Sequence, residues 1–328
     1  MILAGDVGAT KTIVALFEET DEGLLRRRES LYVSRDYPSL ESIVASFLAD
    51  GVEGGAALGC FGVPGPVLNG RCRTTNLPWE IDEQSLAEAT QVPRFKLLND
   101  MVTAAYGMLF LEAEAFCLLQ PGAEPYQPGN VAVIAPGTGL GEAILFWDGT
   151  AYHPIASEGG HTDFAARDAE EVGLLENLRR RYGRHVSYER VLSGPGIADV
   201  YAYLRQSGST RGPSRLNESL RGGDPSAAIT ESGIAGTDAA SVRTLELFVS
   251  VLGAEAGNLA LKCLALGGVI IGGGIAPKIL PVLRGGRLID AFKDKGRFAE
   301  LLQRIPVKVA LDPGASLLGA ARYALRLG

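Results

Sequence analysis

The sequence predicts an α/β protein with two lobes, and three observations support this prediction. The chain has 328 residues, more than the roughly 100–200 that one domain usually contains. Short apolar runs of strand character alternate with segments of helical periodicity, as in α/β folds. A hairpin pattern at the N-terminus, in which a small-residue turn carrying a threonine joins two apolar runs, occurs again from residue 131. Such a distant repeat indicates two similar lobes rather than a solenoid of short repeats.

The first half of the chain reads as a sheet with helices between its strands. Residues 2–4 and 13–17 are apolar strands joined by the first small-residue turn, and a third strand is expected near residues 31–34. The remaining pattern predicts a helix over 38–48, buried strands over 56–63 and 95–98, and a helix over 101–110.

The second half is richer in helices. The second hairpin has strands at 131–135 and 143–147, and later strands are expected at 269–271 and 307–311. Helical spacing predicts helices over 170–181, over 315–325 and over a long segment, 241–266, which Gly267 and Gly268 would end. We expect a small lobe of residues 1–110 plus about 308–328, and a large lobe of residues 111–307.

The composition excludes several other classes of protein. Hydrophobic residues make up 46% of the chain and no low-complexity tract is present, which excludes intrinsic disorder and a fibrous protein. The 31 Lys and Arg residues against 38 Asp and Glu give a net charge of −7, so we expect no nucleic-acid partner.

Cysteines and apolar runs bear on location. The four cysteines, at positions 60, 72, 117 and 263, show no C-x-x-C spacing, so neither a zinc knuckle nor a redox pair is expected. The N-terminus lacks the basic region of a signal peptide, and charge-free runs fall short of the ~20 apolar residues of a membrane span. We therefore expect a cytoplasmic protein without membrane contact.

Three small-residue turns at strand ends are candidate phosphate sites, because backbone N–H groups there are not shielded by side chains. They comprise Gly5, Asp6, Val7, Gly8, Ala9 and Thr10; Gly137, Thr138, Gly139, Leu140 and Gly141; and Gly272, Gly273 and Gly274. Each alone is also compatible with an ordinary hairpin turn. No Gly-Lys-Ser/Thr P-loop, dinucleotide fingerprint or Gly-x-Ser-x-Gly elbow is present.

Polar residues near these turns have two readings each. Asp6 is a candidate Mg²⁺ ligand beside a phosphate turn, or an Asp that bonds its own backbone. Asn99 and Asp100 follow a strand, so they either cap the next helix or place a proton acceptor at the carboxyl edge of the sheet.

A second polar group occurs farther along the chain. Glu158 and His161 share a glycine turn, where they could ligate a metal poorly or engage adjacent hydroxyls of a polyol. Glu189 opens a short helix, where a carboxylate also complements the helix dipole.

Together these segments resemble the bacterial glucokinase family, the branch without the cysteine cluster, within the superfamily of actin-like, hexokinase-like ATPases. The resemblance covers nearly the whole chain and rests on several motifs in register: Gly5-Asp-Val-Gly-Ala-Thr10, Leu98-Asn-Asp100, Ala135-Pro-Gly-Thr-Gly-Leu-Gly141, Glu158-Gly-Gly-His161, Arg190-Val-Leu-Ser-Gly-Pro-Gly196, Gly272-Gly-Gly-Ile-Ala-Pro277 and Lys295-Gly-Arg-Phe298.

The resemblance implies a two-lobed actin-like ATPase (ribonuclease H-like) fold, with a cleft between a small α/β lobe and a larger α+β lobe. It implies ATP-dependent phosphorylation of glucose to glucose 6-phosphate, the first step of glycolysis, by a cytoplasmic homodimer that uses Mg²⁺. Asp100 would be the general base on the sugar 6-hydroxyl. The other sugar-binding residues would be Asn99, Glu158, His161, Glu189 and Asn76. The first two turns would hold the phosphates, Asp6 would lie near Mg²⁺, and Gly272, Gly273 and Gly274 would approach the adenosine.

One departure leaves alternatives open. Lys11 follows the first turn where the family often has Asn, and a Lys there is more usual in the related ROK sugar kinases. ROK kinases, however, carry a cysteine cluster after their Glu-x-Gly-His segment, and residues 162–171 contain no cysteine. A ROK-like kinase of another hexose or N-acetylated sugar, and a non-catalytic sugar-sensing ATP-binding protein, are the alternatives. Polyphosphate is an alternative phosphoryl donor.

Overall fold

The computed structural model describes residues 1–49, 55–74, 77–208 and 223–328. Its strands are β1 (Ile2–Val7), β2 (Lys11–Thr20), β3 (Gly23–Val33), β4 (Leu58–Val63), β5 (Arg71–Arg73), β6 (Glu80–Asp82), β7 (Arg94–Asn99), β8 (Phe116–Gln120), β9 (Val131–Pro136), β10 (Leu140–Trp147), β11 (Tyr152–Ser157), β12 (Gly268–Ile271) and β13 (Val307–Ala310). Its α-helices are α1 (Leu40–Ala49), α2 (Glu83–Thr90), α3 (Asp100–Met108), α4 (Ala169–Tyr182), α5 (Gly194–Gln206), α6 (Pro225–Ala235), α7 (Ala239–Cys263), α8 (Leu280–Leu283), α9 (Arg287–Lys293), α10 (Ala299–Gln303) and α11 (Ala315–Ala324).

The chain divides into two compact units that are not continuous in sequence. The first unit contains Met1–Ala113, Pro154–Ala156 and Asp312–Gly328, and the second contains Glu114–His153 and Ser157–Leu311. The last helix, α11, therefore belongs to the same unit as the first strand.

The first unit is built on a five-stranded sheet in the order β3-β2-β1-β4-β7. Strand β1 forms an antiparallel hairpin with β2, whereas β1, β4 and β7 run parallel to one another. Because parallel strands end at the same edge, the turn after β1 and the residues after β7 lie along one edge of this sheet.

Two layers of apolar side chains fix this sheet. On one side Leu40, Ile43, Val44 and Phe47 of α1 are buried together with Leu3, Val14 and Phe61 of the strands. A separate cluster joins Ala4, Ala15 and Cys60 to Leu317, Ala320, Ala321 and Ala324 of α11. The sheet is thus covered on both faces, as expected when its central strands are continuously apolar.

Helices α3 and α11 approach each other unusually closely. A Cβ on Gly319 would lie 1.8 Å from the backbone oxygen of Thr103, and one on Gly107 would lie 1.8 Å from the backbone oxygen of Ala315. Only glycine fits at these two positions, so the contact fixes α11 against the helix that begins at Asp100.

The second unit contains a six-stranded sheet in the order β11-β10-β9-β12-β13-β8. An antiparallel hairpin, β9 with β10, is followed by parallel pairing of β9 with β12 and of β12 with β13. This arrangement matches that of β1, β2 and β4, which confirms the repeat seen in the sequence. Residues Pro154–Ala156 of β11 group with the first unit.

Helix α7 forms the centre of the second unit. It is long and apolar enough to cross a membrane, but most of it is buried inside the protein, as in the core helix of a globular fold. The predicted end at Gly267 and Gly268 is wrong, since the helix ends at Cys263. Leu264 adopts a left-handed conformation with φ of 49°, and the N–H of Ala265 donates to the oxygen of Ala260 at 2.9 Å. This Schellman-type cap stops the helix before the glycines.

Candidate active site

The first small-residue turn connects β1 to β2 and is fixed by hydrogen bonds from the buried Ser34. The N–H of Gly8 donates to the oxygen of Lys11 at 2.9 Å, which closes the turn. Ser34 donates its hydroxyl to the oxygen of Gly8 at 2.7 Å and its N–H to the oxygen of Thr10 at 3.0 Å. The predicted turn over residues 5–10 is too long, because Gly5, Asp6 and Val7 still pair with β2 as part of β1.

The carboxylate of Asp6 is connected through two hydroxyls to the start of α3. The Ser316 hydroxyl donates to Oδ1 of Asp6 at 2.8 Å and lies 3.0 Å from Oγ1 of Thr103. Thr103 in turn donates to the backbone oxygen of Asp100 at 2.8 Å. Burial raises the pKa of the Asp6 carboxyl, and the Ser316 hydrogen bond lowers it in part. A desolvated carboxylate at a phosphate turn is what a divalent cation would compensate.

Asn99 and Asp100 lie at the junction of β7 and α3. Asn99 is the N-cap: its Oδ1 accepts from the N–H of Met101 at 2.9 Å, and its Nδ2 donates to the oxygen of Gly65 at 3.1 Å. The capping interpretation is therefore correct for Asn99, whose Nδ2 carries a second N–H.

Asp100 is the first residue of α3 and is half-buried. Its Oδ1 accepts from the N–H of Met101 at 2.8 Å, and the helix dipole favours a negative charge at this end. A Cβ on Gly62 would lie 2.3 Å from Oγ1 of Thr103 and 3.3 Å from Cα of Asp100. The glycine in β4 thus lets α3 begin close to the sheet edge.

Asn76, the remaining residue that the sequence assigned to the sugar, lies outside the described residues.

The second turn joins β9 to β10 and is fixed by the start of α5. The N–H of Gly137 donates to the oxygen of Gly139 at 2.8 Å, and the N–H of Gly194 donates to the oxygen of Gly137 at 2.9 Å. Leu140 and Gly141, which the sequence placed in the turn, are the first residues of β10. The turn proper is therefore Gly137, Thr138 and Gly139.

Glu189 lies against this second turn. Its Oε2 accepts from the N–H of Leu140 at 3.1 Å, and its Oε1 lies 4.0 Å from Nδ1 of His161. Glu158 is exposed on the same short turn as His161, whose N–H donates to the oxygen of Glu158 at 3.0 Å. The second unit thus brings together Glu189, His161 and the second candidate phosphate turn. No group of three possible metal ligands occurs among the residues that the structure describes.

The third glycine turn follows β12, next to the second. The N–H of Gly272 donates to the oxygen of Ile134 at 2.9 Å. Gly273 has φ of +78°, and a Cβ there would lie 2.3 Å from the oxygen of Pro136. Both turns therefore stand at the carboxyl ends of neighbouring parallel strands, the usual place for a ligand in an α/β sheet.

A cavity of about 800 Å³ opens beside these two turns, within the second unit. Its lining includes Gly137, Thr138 and Gly274, together with Gly194, Pro195 and Ile275 from two other motifs of the sequence. No functional role was assigned from the sequence to the rest of the lining, which comprises Ile197, Ala198, Asp224, Pro225, Ser226, Ala227, Thr230, Glu231, Ile234 and Lys278. A local signal for part of this remaining set is Asp224 followed by Pro225, the cap and first residue of α6. The volume suits a nucleoside-sized ligand.

Comparisons with known proteins show which family the chain is similar to. A model of the glucokinase family matches residues 3–327. A glucokinase of Trichormus variabilis is 39% identical over 341 aligned positions that cover 100% of this chain and 99% of the relative.

Solved structures show the same fold. A glucokinase from an Antarctic psychrotroph superposes with a TM-score of 0.86 at 30% identity, covering 99% of this chain and 98% of that one. A glucokinase from Balamuthia mandrillaris, solved in complex with glucose, gives 0.82 at 21% identity with coverages of 99% and 93%. These likenesses confirm the predicted fold class. Given a family match along almost the full chain, together with a full-length relative well above 30% identity, this chain belongs to the glucokinase family.

Proposed function

We propose that this chain transfers the γ-phosphoryl group of ATP to the 6-hydroxyl of glucose, with Asp100 as general base. Membership of the glucokinase family supports the reaction. The observation that supports the assignment of Asp100 is a pair of adjacent hydroxyls: Ser316 donates to Asp6, Thr103 donates to the backbone oxygen of Asp100, and their oxygens lie 3.0 Å apart. This pair ties the phosphate turn and the start of α3 to one another, so donor and base are held by the same framework.

The motif resemblance assigns the hydroxyls of the sugar to four polar side chains that the structure describes. Asn99 offers its second amide N–H, and Glu158, His161 and Glu189 offer carboxylates and an imidazole that pair with adjacent hydroxyls. Asn76 is carried in this role from the motif resemblance. The N–H of Leu140 donates to Oε2 of Glu189, and this hydrogen bond fixes the Glu189 carboxylate beside the second turn.

The adenosine of ATP is assigned to the cavity of the second unit. Gly274 lines that cavity, as do Gly137 and Thr138 of the second turn. The motif resemblance assigns Gly272 and Gly273 to the adenosine as well, and assigns the phosphates to Gly137, Thr138 and Gly139 and to the first turn, Gly8, Ala9 and Thr10. A cavity of this size favours a nucleotide over polyphosphate, which has no base to fill it.

Mg²⁺ fits Asp6, with water completing its shell. Mg²⁺ keeps several waters and needs only one or two carboxylates when phosphates supply the rest. Held by Asp6, Mg²⁺ would supply positive charge to neutralise the phosphates.

The reaction then needs few steps from the protein. Asp100 accepts the proton of the 6-hydroxyl as that oxygen forms a bond to the γ-phosphorus, and the bond from the γ-phosphorus to the β,γ-bridging oxygen breaks to release ADP. The sugar-binding residues hold the 6-hydroxyl in line, which is the larger part of catalysis for phosphoryl transfer. We place the enzyme in the cytoplasm as a homodimer, at the entry of glucose into glycolysis.

Asp100→Asn tests the assignment. Turnover in an assay coupled to oxidation of glucose 6-phosphate should fall at least ~10²-fold, because a general base contributes typically 10²–10⁴. Glucose binding by calorimetry should persist, since an amide of the same shape remains. Asp36→Asn, an exposed acid of the first unit, is the control and should keep wild-type turnover. Near-normal turnover of Asp100→Asn would remove Asp100 from the role.

A further inference from the structure

Two buried carboxyl groups lie next to each other in the second unit, and the reaction described above uses neither. Glu142 in β10 is 2% exposed and Glu255 in α7 is fully buried. Glu255 is well supplied with donors: Lys262 reaches its Oε1 at 3.3 Å and Asn258 its Oε2 at 2.8 Å. Oε1 of Glu142, in contrast, has no hydrogen-bond partner among the described residues. When a buried carboxyl oxygen has no hydrogen-bond donor, the neutral form of the carboxyl group costs less free energy than the charged form.

The electrostatic surroundings of Glu142 favour its neutral form. Burial, and then repulsion from Glu255, raise the pKa of Glu142 to about 7, while Lys262 lowers it in part. The thiol of Cys263 in α7 interacts with the charge of Glu142: burial first, and then Glu142, raise the pKa of that thiol. Glu255 also pairs with the Tyr188 hydroxyl. Asn258 donates to that hydroxyl and accepts from the ammonium group of Lys295.

Glu142 forms the floor of the turn that carries two of the sugar-binding residues. A Cβ on Gly159 would lie 1.9 Å from Oε2 of Glu142, and one on Gly160 would lie 2.1 Å from the oxygen of Leu140. The turn therefore rests directly on β10, and its two exposed ends are Glu158 and His161. Any movement of the Glu142 carboxyl has to be transmitted to the Gly159 backbone, because there is no space between them.

We propose that Glu142 is a positioning residue for the sugar: its neutral carboxyl supports the turn of Glu158 and His161, and its ionisation beside Glu255 displaces that turn and weakens glucose binding. The inference rests on the proposed assignment of Glu158 and His161 to the sugar. Glucose binding and proton binding at Glu142 are then coupled, so each strengthens the other.

Glu142→Gln tests this coupling, since glutamine keeps the shape and cannot ionise. In the wild type, the KM for glucose should rise about tenfold from pH 6 to pH 8, as the fraction of protein with neutral Glu142 falls from about nine-tenths to about one-tenth. In Glu142→Gln, that rise should be absent and the KM at pH 8 should stay near the wild-type value at pH 6. The KM for ATP should show the same pH dependence in the wild type and in Glu142→Gln. A wild-type pH profile of the glucose KM in Glu142→Gln would overturn the inference.

Calorimetry of the wild type gives a second measurement that does not depend on the variant's folding. Glucose binding at pH 8, measured in buffers of different ionisation enthalpy, should take up protons, and absence of uptake would overturn the inference. Glu171→Gln is the control, because Glu171 is equally buried but pairs with Arg167. It should lose stability and keep the wild-type pH dependence of the glucose KM.

The same experiment separates this inference from the proposed function. If the sugar assignment itself is wrong, Glu158→Ala leaves the KM for glucose unchanged. If only the role of Glu142 is wrong, Glu158→Ala raises that KM while Glu142→Gln retains the wild-type pH profile. Unfolding adds a further readout, since a pKa raised in the folded state makes stability fall as pH rises toward about 7, and Glu142→Gln should lack that fall.

Discussion

The carboxylate of Glu189 occupies the space where a side chain on Gly139 would be. Oε2 of Glu189 accepts from the N–H of Leu140 at 3.1 Å, and a Cβ on Gly139 would lie 2.4 Å from that oxygen. The glycine is therefore needed for contact with Glu189, beyond any contact with phosphate. One turn of the second unit thus connects the proposed phosphate contact to a proposed sugar contact.

Gly139→Ala should displace Glu189 and raise the KM for glucose by about tenfold, the effect of losing one hydrogen bond to a charged group. Steady-state kinetics with glucose varied at saturating ATP measure it. Gly137→Ala is a matched control from the same turn, since no atom lies within 4 Å of a Cβ at that position. Its KM for glucose should stay near that of the wild type, and an equal rise in both variants would contradict the link to Glu189.

Glu158→Ala should raise the KM for glucose far more than that for ATP, because the side chain is exposed on the turn beside His161 and is assigned to the sugar. Varying each substrate at saturation of the other separates the two constants. Glu176→Ala, a glutamate in α4, should change neither. Equal increases in both constants for Glu158→Ala would argue against a sugar contact.

Gly319→Ala should destabilise the first unit, because the added methyl would lie 1.8 Å from the oxygen of Thr103 and 2.6 Å from the nitrogen of Gly107. Overpacking of this kind costs typically about 1–3 kcal/mol, which a urea titration followed by circular dichroism detects. Turnover should fall as well, because the added methyl group would displace α3, the helix that begins with Asp100. Gly223→Ala has open space around the new methyl and should unfold at the wild-type urea concentration.

The sequence was sufficient for elements whose signal is local. The hairpins at β1 and β9, the glycine turns and the apolar stripe of α7 all follow from the periodicity of neighbouring residues, and the cap role of Asn99 follows from its position. The end of α7 was misplaced, because the left-handed conformation of Leu264 has no sequence signature comparable to a glycine.

Residues that act across long sequence separations could not be predicted. Ser34 holds the turn at Gly8, and Ser316 reaches Asp6 from the other end of the chain. Neither serine differs locally from any other serine. Glu142 is similar, since a single glutamate in a strand gives no sign that the fold will bury it against another carboxyl. Such contacts arise only from the tertiary arrangement.

The grouping of Asp312–Gly328 with the N-terminal residues has a consequence for synthesis in the cell. Ser316 and the apolar side chains of α11 that cover one face of the first sheet are synthesised after all of its strands, so that face stays exposed until α11 is made. A nascent or prematurely terminated chain without this helix lacks the donor to Asp6. Such a shortened chain also leaves the apolar face of the first sheet uncovered, which is the kind of surface that chaperones and proteases recognise.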